Sequence, residues 1–108
     1  MNFDLLPIIA AFFQGFNAHD SDALTSLFAS DAFVVDEGRE YRGTAAIKAW
    51  IENANASYKP YAVPTNLVQS DGKIVVTAQV SGTFPGSPAP LHYHFILKDD
   101  KIAALTCD

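Results

Sequence analysis

The chain has 108 residues, 49% of them hydrophobic and 18% charged, which suits one folded domain around one core rather than a disordered polymer. The formal net charge of −5 arises within residues 1–36, which hold five Asp and no Lys or Arg, while the remainder balances seven acids against seven bases. That distribution argues against nucleic acid, whose phosphates need a basic patch; no apolar run is long enough for a membrane span, and the single Cys107 excludes an internal disulfide. The opening Met-Asn-Phe-Asp lacks the positive region of a signal peptide, so a soluble cytoplasmic protein is expected.

Residues 4–18 read as a helix, with Asp4 available as its cap and Pro7 tolerable in its first turn. Ile8, Ile9, Phe12, Phe13 and Phe16 recur at three-to-four spacing and form a wide apolar stripe. A second helix is expected from Ser21 to Ala29, capped by Asp20, with Leu24, Leu27 and Phe28 on its buried side. The short link Asn17-Ala18-His19 makes the pair a tight hairpin.

Residues 32–37 read as a strand ending in Asp36, followed by a turn over Glu37–Glu40 and a short return at Tyr41-Arg42. A third helix starts at Gly43-Thr44 with Thr44 as cap; Ile47, Trp50, Ile51 and Ala54 make its stripe. From Tyr58 the period changes to two. Tyr61–Gln69 is a strand distorted by Pro64, and Ser70-Asp71-Gly72-Lys73 is a hairpin turn. Ile74–Phe84 is a long strand with Ile74, Val76, Ala78, Val80 and Phe84 on one face. The proline-rich stretch 85–90 is a loop, and Leu91–Lys98 and Lys101–Cys107 are the last strands, joined at Asp99-Asp100.

Helices first and antiparallel strands after give an α+β fold in one domain, residues 1–108. Three N-terminal helices would pack in the concave face of a curved, mostly antiparallel sheet. The opposite face, with Val75, Thr77, Gln79, His92, His94 and Ile96, is too apolar for plain solvation, and a homodimer through it is expected; a semi-polar solvated face is the alternative.

The segments Phe16-Asn17-Ala18-His19-Asp20, Ala23–Ala32 and Tyr41–Trp50, with the hairpin from Gly82 to Phe95 and Asp100-Lys101-Ile102, resemble SnoaL-like, nuclear transport factor 2-like domains over nearly the whole chain. The resemblance implies a cystatin-like cone. It is specific for fold and much less so for activity, because the superfamily spans isomerases, polyketide cyclases, epoxide hydrolases, dehydratases and non-catalytic binding domains. In length and layout the chain is most similar to the ketosteroid isomerase branch. That likeness implies Asp36 at the position of the general base. It also implies an oxyanion donor on the first helix, where this chain has Phe12 with no hydroxyl. The second donor, an Asp in the family, is replaced by Tyr93, followed by His94.

Asp36 is therefore either a ligand-facing base or a structural acid fastening the 37–42 turn through Arg39 or Arg42. Tyr93 shares a strand face with Leu91, Phe95 and Leu97, and either donates a hydrogen bond to a developing oxyanion or fills space. The expected pocket lining is Phe12, Phe16, Phe28, Val34, Trp50, Tyr61, Val80, Phe84 and Phe95, with Tyr58 beside Trp50 and Tyr61 at the mouth. Such a cup suits a flat apolar molecule, unless the eight Phe fill it.

His92 and His94 share a face at metal-ligand spacing, but no third ligand is evident, so they are read as interface residues and no metal is expected. No cofactor is implied. The sequence thus supports an isomerase- or cyclase-type enzyme using Asp36 for proton transfer on a small apolar molecule, or alternatively a non-catalytic binding or dimerisation domain.

Overall fold

The computed structural model describes residues 6–108. Helix α1 spans Pro7–Ala18, α2 Ser21–Thr25 and α3 Thr44–Tyr58; strands β1–β6 span Phe28–Asp36, Arg39–Arg42, Tyr61–Ser70, Lys73–Ser81, Ala89–Lys98 and Lys101–Cys107. The six strands form one open sheet in the order β2-β1-β6-β5-β4-β3. Only the β1–β6 pairing is parallel; the other four are antiparallel. Three helices pack against the inner face of this curved sheet, the α+β cone expected from the sequence.

Pro7 opens α1 where its missing N–H costs nothing. The capping role expected of Asp4 lies outside the described residues. Asp20 caps α2, its Oδ1 accepting from the Ala23 N–H at 3.1 Å. Helix α2 is shorter than expected, and Phe28 and Ala29 belong to β1. The Leu27 carbonyl accepts from Ile102 N–H at 2.9 Å, so pairing with β6 captures the chain before another helical turn forms. Tertiary pairing overrides local propensity there and buries Phe28.

The first hairpin turns on two residues, Glu37 and Gly38, both at positive φ. This is the tight turn whose twist matches paired strands, so Arg39 and Glu40 join β2 instead of the loop. Gly43, rather than Thr44, occupies the cap of α3. Its φ of 87° is a conformation that favours glycine, and its N–H donates to the Ala32 carbonyl at 2.8 Å.

Strand β4 stops at Ser81 instead of continuing to Phe84. The Gly82 N–H donates to Ser87 Oγ and the Thr83 N–H to the Tyr58 carbonyl, which removes both from the ladder. A side chain on Gly82 would also meet the Tyr58 carbonyl oxygen, 2.5 Å from a built Cβ. Strand β5 starts two residues earlier than expected, at Ala89. Pro90 is tolerated because His92 faces β6 through its bonds with Asp108, so by alternation the nitrogen of Pro90 points past the end of β6.

The core is aromatic at its centre. Phe12 touches Phe13 and Phe95 edge-on, with ring centroids 5.1 Å apart in each case, and Phe13 meets Tyr93 at 5.4 Å. Asn17 ties α1 to the sheet edge by a reciprocal pair: its Nδ2 donates to the Ala62 carbonyl at 2.9 Å and its Oδ1 accepts from Ala62 N–H at 2.7 Å. The Phe cluster fills one part of the cone and leaves the rest open.

Candidate functional site

The open part is a cavity of about 670 Å³ between α1, α3 and the inner sheet face. Its floor follows from strand register. Asp36 on β1 is opposite Cys107 on β6, and Cys107 is opposite Tyr93 on β5. Laterally paired residues share a face, so these three side chains form one inward row. All three border the cavity, with Leu91 and Val80 beside them.

Helix α3 supplies the facing wall. Trp50, Ala54 and Tyr58 are spaced four residues apart and turn one stripe to the cavity, while Ile47 and Ile51 on the adjacent stripe enter the core. The Trp50 indole N–H donates to Asp36 Oδ2 at 3.0 Å and fixes the carboxylate at the floor. Phe16, Pro60, Phe84 and Pro85 close the sides.

Asp36 is half-buried and forms no ion pair among the described residues. Arg42 is engaged with Glu40 at 2.9 Å and lies over the Phe33 ring; Arg39 is opposite Asp36 in the register but exposed, with no ion pair among the described residues. Neither arginine fastens Asp36 in a turn.

Tyr93 is 3% exposed, and its hydroxyl has no hydrogen-bond partner among the described residues. Among the described residues no fully buried side-chain polar atom lacks a partner, so that oxygen is not sealed off and opens to the cavity. Burial, and then the negative charges that Cys107 and Asp36 can carry, push the phenol far above its ordinary range. The Cys107 thiol is raised in the same sense by burial, then by Asp36 and Asp108. Both groups are held protonated at neutral pH, one as a phenol donor and the other as an inert thiol.

Of the expected lining, Phe16, Trp50, Val80 and Phe84 border the cavity with Asp36 and Tyr93. Phe12, Phe28, Val34 and Phe95 do not; they are consumed in the core beneath it. Tyr61 is 52% exposed and faces away, because Ala62 takes the inward position on β3. Glu37, Gly38, Ala54, Pro60, Pro85, Cys107 and Asp108 were not among the expected lining residues. The four-residue spacing from Trp50 was a readable signal for Ala54. Cys107 required the β1–β6 register, which no local pattern reveals.

His92 and His94 lie on the other sheet face, where Asp108 Oδ1 is 3.6 Å and 3.2 Å from an imidazole nitrogen of each. Among the described residues no group of three or more His, Cys, Asp or Glu is arranged to hold a metal. No described helix is long and apolar enough to cross a membrane.

The family model for the SnoaL-like domain matches residues 9–105, and the chain belongs to that family. A candidate polyketide cyclase from Sinorhizobium meliloti is 40% identical, with coverage of 97% of this chain and 96% of that one and a TM-score of 0.94. A protein of ketosteroid isomerase-like fold from Catenulispora acidiphila, solved with trimethylamine, is 20% identical over 97% of this chain and 86% of that one, with a TM-score of 0.86. A candidate polyketide cyclase from Xanthomonas campestris pv. campestris is 23% identical over 93% and 85%, with a TM-score of 0.80. The last two likenesses show the fold. No curated protein matches the chain by sequence.

Proposed function

We propose that this chain is an enzyme of isomerase or cyclase type that binds an apolar, carbonyl-bearing small molecule and moves a proton on it. Asp36 is the base and Tyr93 the hydrogen-bond donor. The observation carrying this reading is the inward row Asp36–Cys107–Tyr93 on the floor of an otherwise largely apolar cavity. The volume, about 670 Å³, is within the range of small-molecule sites. The candidate cyclase activity of the Sinorhizobium meliloti relative supports the same class.

Among the described residues Asp36 accepts one hydrogen bond, at Oδ2, which leaves Oδ1 to take a proton from the carbon next to a carbonyl. The Tyr93 O–H then donates to the oxygen as negative charge develops on it, and Asp36 returns the proton to a different carbon or to that oxygen. Phe12 lies in the core, so no hydroxyl from α1 assists, and Tyr93 carries that role alone.

Turnover on a panel of apolar enones and hydroxy-ketones tests the reading. Asp36→Asn is expected to lower the rate several hundredfold, and equal rates in the two proteins exclude the mechanism. Phe12 in place of a hydroxyl favours a second reading, a non-catalytic binding domain, for which ligand affinity survives Asp36→Asn and no turnover is found. On the outer face, Phe33, Val75, His94 and Ile96 border a groove of about 330 Å³, and Val68 and Ile96 are 55% and 42% exposed. We assign this face to pairing with a second copy of the chain.

A further inference from the structure

The cavity wall is unbalanced in charge. Three acidic residues border it, Asp36, Glu37 and Asp108, and none of its described lining residues is Lys, Arg or His. The register explains why they gather at one end. Asp36 lies opposite Cys107 in a parallel pair, so the next residues, Glu37 and Asp108, leave the sheet side by side. The Asp108 carboxylate turns to His92 and His94 on the other side of the sheet, whereas Asp36 has no cationic partner among the described residues.

Around these acids stand five aromatic residues: Phe16, Trp50, Tyr58, Phe84 and Tyr93. Tyr58 and Phe84 meet edge-on at 5.9 Å across one side. Aromatic rings with nearby carboxylates suit a positive group whose charge is spread over alkyl substituents: the rings attract it electrostatically and also bury its methyl or methylene surface. The nine-tenths-buried Tyr93 turns a hydroxyl with no partner among the described residues toward the same space, so a bound N–H has an acceptor there. An anionic ligand would meet the Asp36 carboxylate with no Lys, Arg or His among the described lining residues to balance it.

Resting on the reading of this cavity as a small-molecule site, we infer that its ligand carries an alkylammonium group on its apolar body, with the cationic end at the Asp36–Glu37 end of the cavity. The charged end fixes the ligand's orientation. The apolar remainder lies against Val80, Leu91 and Phe84.

The test is an isosteric pair: benzyltrimethylammonium and its uncharged carbon analogue neopentylbenzene. Trp50 is the only tryptophan and borders the cavity, so its fluorescence reports both titrations. The wild type is expected to bind the ammonium about tenfold or more tightly than the isostere, the scale of a partly desolvated cation–aromatic contact with carboxylates nearby. The double variant Asp36→Asn/Glu37→Gln is expected to shrink that preference severalfold. Equal affinities in the wild type overturn the ammonium inference and leave the apolar cavity standing, as does a preference that persists undiminished in the double variant. Binding of neither probe overturns the small-molecule reading itself and this inference with it.

Discussion

Removing one oxygen atom from Tyr93 separates function from packing. The Tyr93 ring touches four phenylalanines, Phe12, Phe13, Phe16 and Phe95, at centroid distances of 6.1, 5.4, 6.1 and 6.5 Å. Tyr93→Phe keeps all of these contacts. The lost hydroxyl has no partner among the described residues, so its removal relieves part of a desolvation cost that runs to about 1–3 kcal/mol when fully uncompensated. Because the oxygen reaches the cavity, the gain lies between zero and about 1 kcal/mol, at most a few degrees in Tm for a domain of this size. Tyr93→Ala loses the ring contacts instead and is expected to cost about 3–5 kcal/mol. Turnover behaves differently. Loss of a sole oxyanion donor is expected to lower kcat by about 10²–10³ with little change in KM, since the bond forms only in the transition state. Thermal melts beside steady-state kinetics of Tyr93→Phe read both effects. A Tm drop of more than a few degrees, or undiminished kcat, refutes the assignment of Tyr93 as an unpartnered donor.

Further expectations can be checked without a substrate. Phe12→Ala empties the centre of the aromatic core and should cost about 3–5 kcal/mol by urea titration, because Phe12 is 1% exposed. Asp20→Ala removes the α2 cap and should cost about 1 kcal/mol in the same assay. Cys107 and Tyr93 both keep their protons longer folded than unfolded, so their contribution is complete at neutral pH. It falls as the unfolded thiol and phenol ionise, above about pH 9.0 and then 10.0. Denaturation across pH 7–11 should show this decline, and Cys107→Ala should move its onset up toward the phenol range. Ile96→Arg should shift a dimer to monomer on size exclusion with the fold intact by circular dichroism; an unchanged elution volume contradicts pairing through the outer face.

The parts of the fold that local physics controls were legible. The three-to-four spacing of Ile9, Phe12, Phe13 and Phe16 gave α1, and alternation from Ile74 to Val80 gave the inward face of β4. The Asp71-Gly72 turn carried its own signature, with both residues at positive φ. Element ends were harder wherever a distant segment decided them, as Ile102 does for the start of β1 and Tyr58 for the end of β4. The same division holds at the cavity. Asp36 stood out because a carboxylate closes an apolar strand, and Tyr93 because it alternates with Phe95. The position of Cys107 between them depends on a parallel pairing of the first strand with the last. The aromatic residues are alike in the sequence, and only packing decides which become core. Phe12 and Phe95 close on each other, while Phe16 and Phe84 remain at the edge of the void.

Proton transfer by Asp36 is tested most directly by deuterium incorporation next to the carbonyl of apolar ketones in D2O, followed by NMR with wild type and Asp36→Asn. The expected result is exchange well above buffer for the wild type on at least one ketone of the panel, reduced several hundredfold in Asp36→Asn while Trp50 fluorescence still reports binding. Equal exchange in the two proteins, or none above buffer for any ketone that binds, contradicts the account.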